Sequence, residues 1–226
     1  MKHYDTINRI QDDGTLWGEE IAAFNKLDGQ NLGVKYSPKR KEFGPFCSRN
    51  RVFDETDSQF GCAVQWFKSS RYPEILSKIV SENSGKGKYF NGIEEVMFYF
   101  EWYGENSFAG VHNPDDEQKL YLIDILRKKK GYIEYKPLME LFYSNPEILK
   151  PELIYRGPLT KDFAESIKRN DWTKEGCQYP SVKEGVVCRR TTIMKGQRLP
   201  KTKIKTQWWL NKVYEMYPKE VADKLI

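Results

Sequence analysis

A chain of 226 residues with 39% hydrophobic and 31% charged residues can pack one large or two small domains, and carries too much charge for a membrane-embedded protein. No apolar run approaches the roughly 20 residues of a spanning helix, and the start Met1-Lys2-His3-Tyr4-Asp5 lacks an apolar signal segment, so the cytoplasm is the expected compartment. Four cysteines without a paired spacing and two histidines argue against a disulfide scaffold and a zinc site. The net charge of +5 gathers in Lys39-Arg40-Lys41, residues 127–130, Arg189-Arg190 and residues 195–205, which points to a polyanionic partner. For 127–130, followed by Gly131, a solvated turn is an equal reading.

Residues 5–10 form a polar, partly apolar lead-in, and Asp12-Asp13-Gly14 marks a turn. The run Ile21-Ala22-Ala23-Phe24 predicts a first strand over residues 21–26. The alternation of Leu32, Val34 and Tyr36 predicts a second strand broken by Ser37-Pro38, so a hairpin is expected after Lys26, with residues 43–48 as its return strand. Pro73 in a first turn, with Ile75, Leu76, Ile79 and Val80 at helical spacing, predicts a helix ended by Ser84-Gly85. Gly85-Lys86-Gly87-Lys88 lacks the spacing and the Lys-Ser/Thr ending of a Walker loop and reads as a mobile loop. Residues 96–103 give the strongest strand, with Val96, Phe98, Phe100 and Trp102 on one face and Met97, Tyr99, Glu101 and Tyr103 on the other. Residues 120–126 form a buried strand that contains Asp124. Helices are expected over 137–143 and 160–169, the second with Thr160 as N-cap and Asp162 in its first turn. Late strands over 182–190 and 201–206 precede a closing helix over 207–217. Strands and helices that mix without regular alternation indicate an α+β fold built on antiparallel sheets.

The first strand delivers Lys26 into Lys26-Leu27-Asp28-Gly29. Alone this is a weak signal, since roughly one chain in twenty of this length carries Lys-x-Asp-Gly by chance. Three companions follow in order: Phe100-Glu101-Trp102-Tyr103-Gly104, Lys183-Glu184-Gly185-Val186-Val187 and Lys203-Ile204-Lys205. A lysine amine attacks phosphorus only when neutral, and burial or nearby positive charge favours that state. Lys203 and Lys205 share one strand face, with Ile204 turned away, so both ammonium groups can meet one triphosphate; a solvated strand edge is the competing reading. Glu101 and Glu184, set in apolar strands, need partners, and a structural ion pair with Arg49 or Lys183 competes with metal binding. Arg49 offers a fork of donors for a ribose hydroxyl or phosphate oxygen, or is a surface arginine. Asp28 caps backbone N–H groups of the turn that Gly29 permits.

In that order and at those distances the set resembles the covalent nucleotidyltransferase superfamily of ATP-dependent ligases and mRNA capping enzymes. With Asn31, Ser48-Arg49-Asn50 and the start over residues 4–10, it is similar to the nick-sealing RNA ligases of bacteriophages as far as about Thr206. The resemblance implies a nucleotidyltransferase fold, ATP-grasp-like, with two antiparallel sheets flanked by helices over residues 1–206. Residues 207–226 would pack on it as a C-terminal helix, without an oligonucleotide-binding domain. It implies that Lys26 attacks ATP to give lysyl-AMP, that AMP passes to an RNA 5′-phosphate, and that a 3′-hydroxyl then seals the break. Lys203 and Lys205 would hold the α-phosphate, and Asn25, Asp28, Gly29, Arg49 and Glu101 would line the nucleotide. Glu101 would serve the ribose or metal region, Glu184 would bind Mg²⁺ or Mn²⁺, and Asn31 would act in the later steps. Two positions depart from the family pattern: Asn25 stands where an acid often reads the adenine amino group, and Ile123, before Asp124, where an aromatic often stacks on the base. RNA is the implied partner and RNA repair the implied setting, in a host cytosol if the chain is viral, with a protein partner as one source of the missing C-terminal function. The alternatives are a capping guanylyltransferase or a DNA ligase, which usually carry an oligonucleotide-binding barrel after the second lysine motif. A catalytically silent nucleic-acid-binding protein would have lost the lysine or a metal acid, and neither is lost.

Overall fold

The computed structural model describes residues 3–12, 14–192 and 199–226. Met1 and Lys2 of the N-terminal start, Asp13 of the expected turn, and Lys195 and Arg198 of the last basic stretch lie outside the described residues. In chain order the elements are β1 (Asn8–Arg9), a short 3-10 turn (Gly14–Leu16), β2 (Glu20–Asn25), β3 (Gln30–Ser37), β4 (Glu42–Cys47), β5 (Val52–Phe53), α1 (Gly61–Ser69), α2 (Tyr72–Glu82), β6 (Val96–Tyr103), β7 (Lys119–Arg127), β8 (Gly131–Tyr132), α3 (Tyr135–Ser144), β9 (Leu153–Pro158), α4 (Lys161–Lys168), β10 (Gly185–Arg190), β11 (Lys201–Lys205), α5 (Gln207–Met216) and α6 (Lys219–Leu225).

The chain forms two units. The first, Met1–Asp5, Gly29–Asn106 and His112–Lys150, holds a six-stranded antiparallel sheet in the order β5-β4-β3-β6-β7-β8. β6 is central, and its period of two sends Val96, Phe98, Phe100 and Trp102 into an aromatic core. Phe67 of α1 meets Phe100 edge-on and Tyr72 of α2 stacks on it, each with ring centroids 6.0 Å apart. Tyr72 also donates to the Leu120 carbonyl and accepts from Leu149 N–H, both at 2.8 Å. On the opposite face Asp124, 1% exposed, accepts a 3.4 Å hydrogen bond from Tyr4, whose ring packs on Tyr99 and Tyr132.

The second unit, Thr6–Asp28, Ser107–Val111 and Pro151–Ile226, holds a five-stranded sheet in the order β1-β11-β10-β2-β9. Its pairs are antiparallel except β1 with β11, so this sheet is mixed at one edge. Ile21, Ala23, Val186, Cys188 and Ile204 form a core with Phe163, Ala164 and Ile167 of α4. The Thr160 hydroxyl caps α4 by accepting from Phe163 N–H at 3.1 Å, which satisfies a donor that the first turn leaves without a partner. Trp209 and Val213 of α5 join Ala222 of α6 in a second cluster. No helix among the described residues is long and apolar enough to cross a membrane.

Most expected elements are present with ends moved by one to three residues, and the hairpin expected after Lys26 is formed by β3 and its return strand β4, with β2 outside it. β2 pairs with β10 and β9, whereas β3 pairs with β4 and β6. Four consecutive residues, Ile21 to Phe24, are buried, which is the pattern of a central strand with both faces covered; the chain therefore leaves this sheet at Asp28 and enters the other. α1, β9 and α6 were not expected. The loop at Gly85 is a hydrogen-bonded turn, closed by Lys88 N–H donating to the Gly85 carbonyl at 3.0 Å. Charge clusters also change meaning. Arg189 and Arg190 are buried, and Arg190 meets Glu19 at 2.7 Å, so they are not a surface patch. Arg127 donates to the carbonyls of Tyr89, Gly131 and Tyr132, while Lys128 and Lys129 face Glu95 and Glu94; this cluster is the turn reading.

β10 begins at Gly185, later than expected, and Glu184 stands just before it. Gly185 has φ +151°, and a Cβ there would lie 2.1 Å from the Ile204 carbonyl oxygen and 2.8 Å from the Lys205 Cα, so β11 has no room to yield. Gly185→Ala is expected to destabilise the protein by about 2–4 kcal/mol. Urea denaturation followed by circular dichroism measures this, and a change under about 0.5 kcal/mol contradicts the close approach.

Candidate active site

The second unit places three strand ends side by side. β2 is buried through Phe24, and Lys26 follows its last residue, with its N–H donating to the Gly185 carbonyl at 2.9 Å. β10 lies between β2 and β11, and Gly185 is in register with Lys205. Glu184, ahead of β10, is pinned from the other side by Thr206, whose N–H donates to the Glu184 carbonyl at 2.9 Å and whose hydroxyl donates to the Lys183 carbonyl at 2.7 Å.

The Glu184 carboxylate, 3% exposed, bridges two ammonium groups. Lys26 Nζ lies 2.8 Å from Oε2 and Lys205 Nζ lies 3.0 Å from Oε1. A buried carboxylate is tolerable only with such partners. Lys183, the expected structural partner, lies instead over the Trp172 ring at 4.7 Å. Lys205 also donates to the Leu225 carbonyl at 3.1 Å, and its Nζ sits 3.7 Å from the Trp209 ring centroid, an attractive cation–π geometry. Burial pushes the Lys205 pKa down to about 8, with Glu184 opposing and Lys26 and Lys203 adding to the shift. Lys203 is half-buried on the same strand face, and Ile204 between them points into the core, as the period of two requires.

Asp28 does not cap its own turn. Its carboxylate accepts from the N–H groups of Ala109 and of Gly110, the latter at 3.0 Å, and from Trp209 Nε1 at 2.9 Å. Ala109 (φ 51°) and Gly110 (φ 71°) are both left-handed, and successive amides in such turns form a concave nest for an anion. Burial lifts the Asp28 pKa to about 6, with the Glu184 charge adding, while the Trp209 hydrogen bond, Lys26 and Ala109 oppose. Asn25 donates from Nδ2 to the Ser181 carbonyl at 2.8 Å.

The remaining expected residues belong to the first unit: Gly29, Asn31, Arg49, Glu101 and Ile123. Gly29 has no left-handed φ. A Cβ there would lie 2.4 Å from the Trp102 carbonyl, so close approach and not a sharp turn requires glycine. Asn31 of β3, Glu101 of β6 and Tyr121 of β7 are in register across the sheet, and Asn31 Nδ2 donates to the Phe100 carbonyl at 3.2 Å. Ile123 sits where the β6–β7 register shifts, and Arg49 is exposed after β4. Sequence reasoning placed Trp209 in a core-facing helix and missed its hold on Asp28. Ala109 and Gly110 carry no local signal, being more than 80 residues from Asp28.

Among the described residues no group of three or more His, Cys, Asp or Glu side chains could hold a metal ion. A single buried carboxylate suits a hard cation such as Mg²⁺ or Mn²⁺, which keeps several waters and binds substrate phosphates with one or two protein carboxylates.

A family model described as RNA ligase matches residues 19–205. No curated protein matches the chain significantly. Among solved structures, an apo Naegleria gruberi RNA ligase variant superposes with TM-score 0.64 at 17% identity, over 95% of this chain and 58% of that one. A variant of the same protein with AMP and Mn gives 0.64 at 16%, over 94% and 58%, and one with ATP and Mn gives 0.62 at 18%, over 94% and 57%. At such identities the likeness establishes the shared fold, and the chain spans less than two thirds of the length of those proteins.

The two shifted groups make stability depend on pH with opposite signs. Asp28 holds its proton up to about 6 against an ordinary 3.8, so the folded state binds more protons in that window and stability falls as pH rises through it. Lys205 releases its proton at about 8 against an ordinary 10.5, so stability rises across that window. Urea midpoints measured from pH 4 to about 10 are expected to show both slopes, with the acid one flattened in Asp28→Asn and the alkaline one in Lys205→Met.

Proposed function

Since the chain belongs to the RNA ligase family, we propose that it is an ATP-dependent RNA ligase working through a covalent AMP on Lys26. The observation that carries this reading is the Glu184 bridge, which gathers Lys26 and Lys205, far apart in sequence, around one carboxylate. In the reaction the Lys26 amine attacks the α-phosphorus of ATP, forming an N–P bond and breaking the bond to pyrophosphate. AMP then passes to an RNA 5′-phosphate, and a 3′-hydroxyl displaces it to seal the strand.

Each side chain has a physical part. In the ion pair with Glu184 the Lys26 amine keeps its proton, so the pair opens before attack. Lys203 and Lys205, on one face of β11, neutralise charge that builds on the α-phosphate. Glu184, once parted from Lys26, is a ligand for Mg²⁺ or Mn²⁺, which when bound supplies positive charge to the phosphate oxygens. Because Asn25 Nδ2 donates to Ser181, its Oδ1 is the atom left to accept from a base; adenine offers an amino donor there and guanine a carbonyl acceptor. Asp28 and Gly29 set the backbone behind Lys26. Arg49 and Glu101 serve the ribose and phosphates, Glu101 also the metal region; Ile123 gives apolar contact to the base, and Asn31 acts in the sealing steps. In this reading residues 1–206 form the adenylyltransferase part, residues 207–226 pack on it, and RNA contacts draw on further surface or on a partner. A nick-sealing enzyme of the bacteriophage type, working in RNA repair in the cytosol, is its finer form.

Incubation with α-labelled ATP and Mg²⁺ is expected to leave label that survives denaturing electrophoresis, and Lys26→Ala abolishes it. Glu184→Ala is expected to lower the labelling rate roughly a hundredfold. Label from GTP alone favours a capping enzyme, and label from neither nucleotide sinks both. A protein that seals only all-DNA nicks overturns the RNA assignment.

A further inference from the structure

Trp209 touches Lys205, at one end of the lysine–glutamate–lysine array, and Asp28, two residues beyond Lys26 at the other. It is 2% exposed. Its Nε1 donates to Asp28 Oδ2 at 2.9 Å, two residues beyond Lys26, and its ring lies 3.7 Å from Lys205 Nζ. Because β10 separates β2 from β11, no ladder hydrogen bond joins the strand of Lys26 to that of Lys205; the indole spans this gap. Its own position is fixed by the cap of α5, where Trp209 N–H donates to the Thr206 hydroxyl oxygen at 3.1 Å. Thr206 is in turn bonded to the carbonyls of Lys183 and Glu184. The first turn of α5 is therefore anchored on the segment of Glu184 while its tryptophan reaches Lys205 of β11 and Asp28, just beyond the end of β2. A side chain needed only to fill space would be served by any large apolar residue. Here the N–H donor is engaged by the carboxylate beside Lys26.

We propose that Trp209 is a positioning residue for lysine adenylation: its N–H holds Asp28 and its ring covers Lys205, which fixes the Lys26 end of β2 against Lys205 across Glu184. This rests on the reading of Lys26 as the nucleophile. It makes Trp209 part of the machinery without contact to ATP.

Trp209→Phe keeps an aromatic ring and removes the donor; Trp209→Leu removes both. Single-turnover labelling from α-labelled ATP is expected to show a rate constant roughly tenfold lower in Trp209→Phe. The labelling amplitude stays complete, and the ATP concentration for half-saturation stays within about twofold. On an Asp28→Ala background, which removes the acceptor of the shared bond, the same change adds little. A packing role alone lowers the amplitude or the melting temperature and leaves the rate constant of the labelled fraction unchanged, and that result overturns the proposal. A second arm needs no activity: reductive methylation with formaldehyde and borohydride, read by peptide mass spectrometry. Lys205 is expected to stay protected in wild type and Trp209→Phe, and to react roughly tenfold faster in Trp209→Leu. Equal methylation in all three proteins also overturns the proposal. Absence of ATP label in the wild type sinks the ligase reading, and the methylation arm then decides whether Trp209 holds Lys205.

Discussion

A carboxylate with 3% of its side chain exposed can persist between two strand ends only because an ammonium group faces each of its oxygens. Loss of one partner from such a site costs about 3–5 kcal/mol, since the remaining charge stays buried. The strand order follows from this demand. β10 must lie between β2 and β11, Gly185 must be without a side chain to let β11 approach, and Thr206 must hold the Glu184 backbone from the far side. The same charges that stabilise the fold are those a phosphoryl transfer requires: an amine, an acid and a second cation within one contact sphere.

Local pattern revealed the strands that carry the site and left their neighbours hidden. The alternation of β6 assigned Phe98, Phe100 and Trp102 to one face and Tyr99 to the other, and Ile204 between two lysines predicted their common side. The partners of β2 were not legible. A strand buried on both faces looks the same whether its neighbour is the next strand or one far along the chain, so the pairing of β2 with β9 and β10 had no local signal. Asp28 shows the same limit. A short acid after a strand suggests a cap on its own turn, yet its donors come from a loop and a helix far along the chain. At Ile123 the period of two fails for a different reason, because the register shift between β6 and β7 adds a residue that alternation cannot place.

Charge clustering was legible as composition and misleading as surface. Arg189 and Arg190 follow one another in a strand, so their side chains leave opposite faces, and both are buried. Arg127 draws its donors inward to three backbone carbonyls. Lysines and arginines lie on apolar surface with their stems and take hydrogen bonds at their tips, so a basic run records cationic side chains and says little about which of them a polyanion can reach.

The second unit is assembled from three stretches of chain, with Lys26 in the earliest and Glu184 158 residues later. On a ribosome adding about 5–20 residues per second, roughly 8–30 s separate the synthesis of the lysine from that of the acid. Until β9 is made, Ile21 to Phe24 have no strand to pair with on either side, and until β10 is made one edge of this apolar strand stays open. The lysine therefore emerges as an ordinary solvated amine and gains its setting only when the last third of the protein has been made.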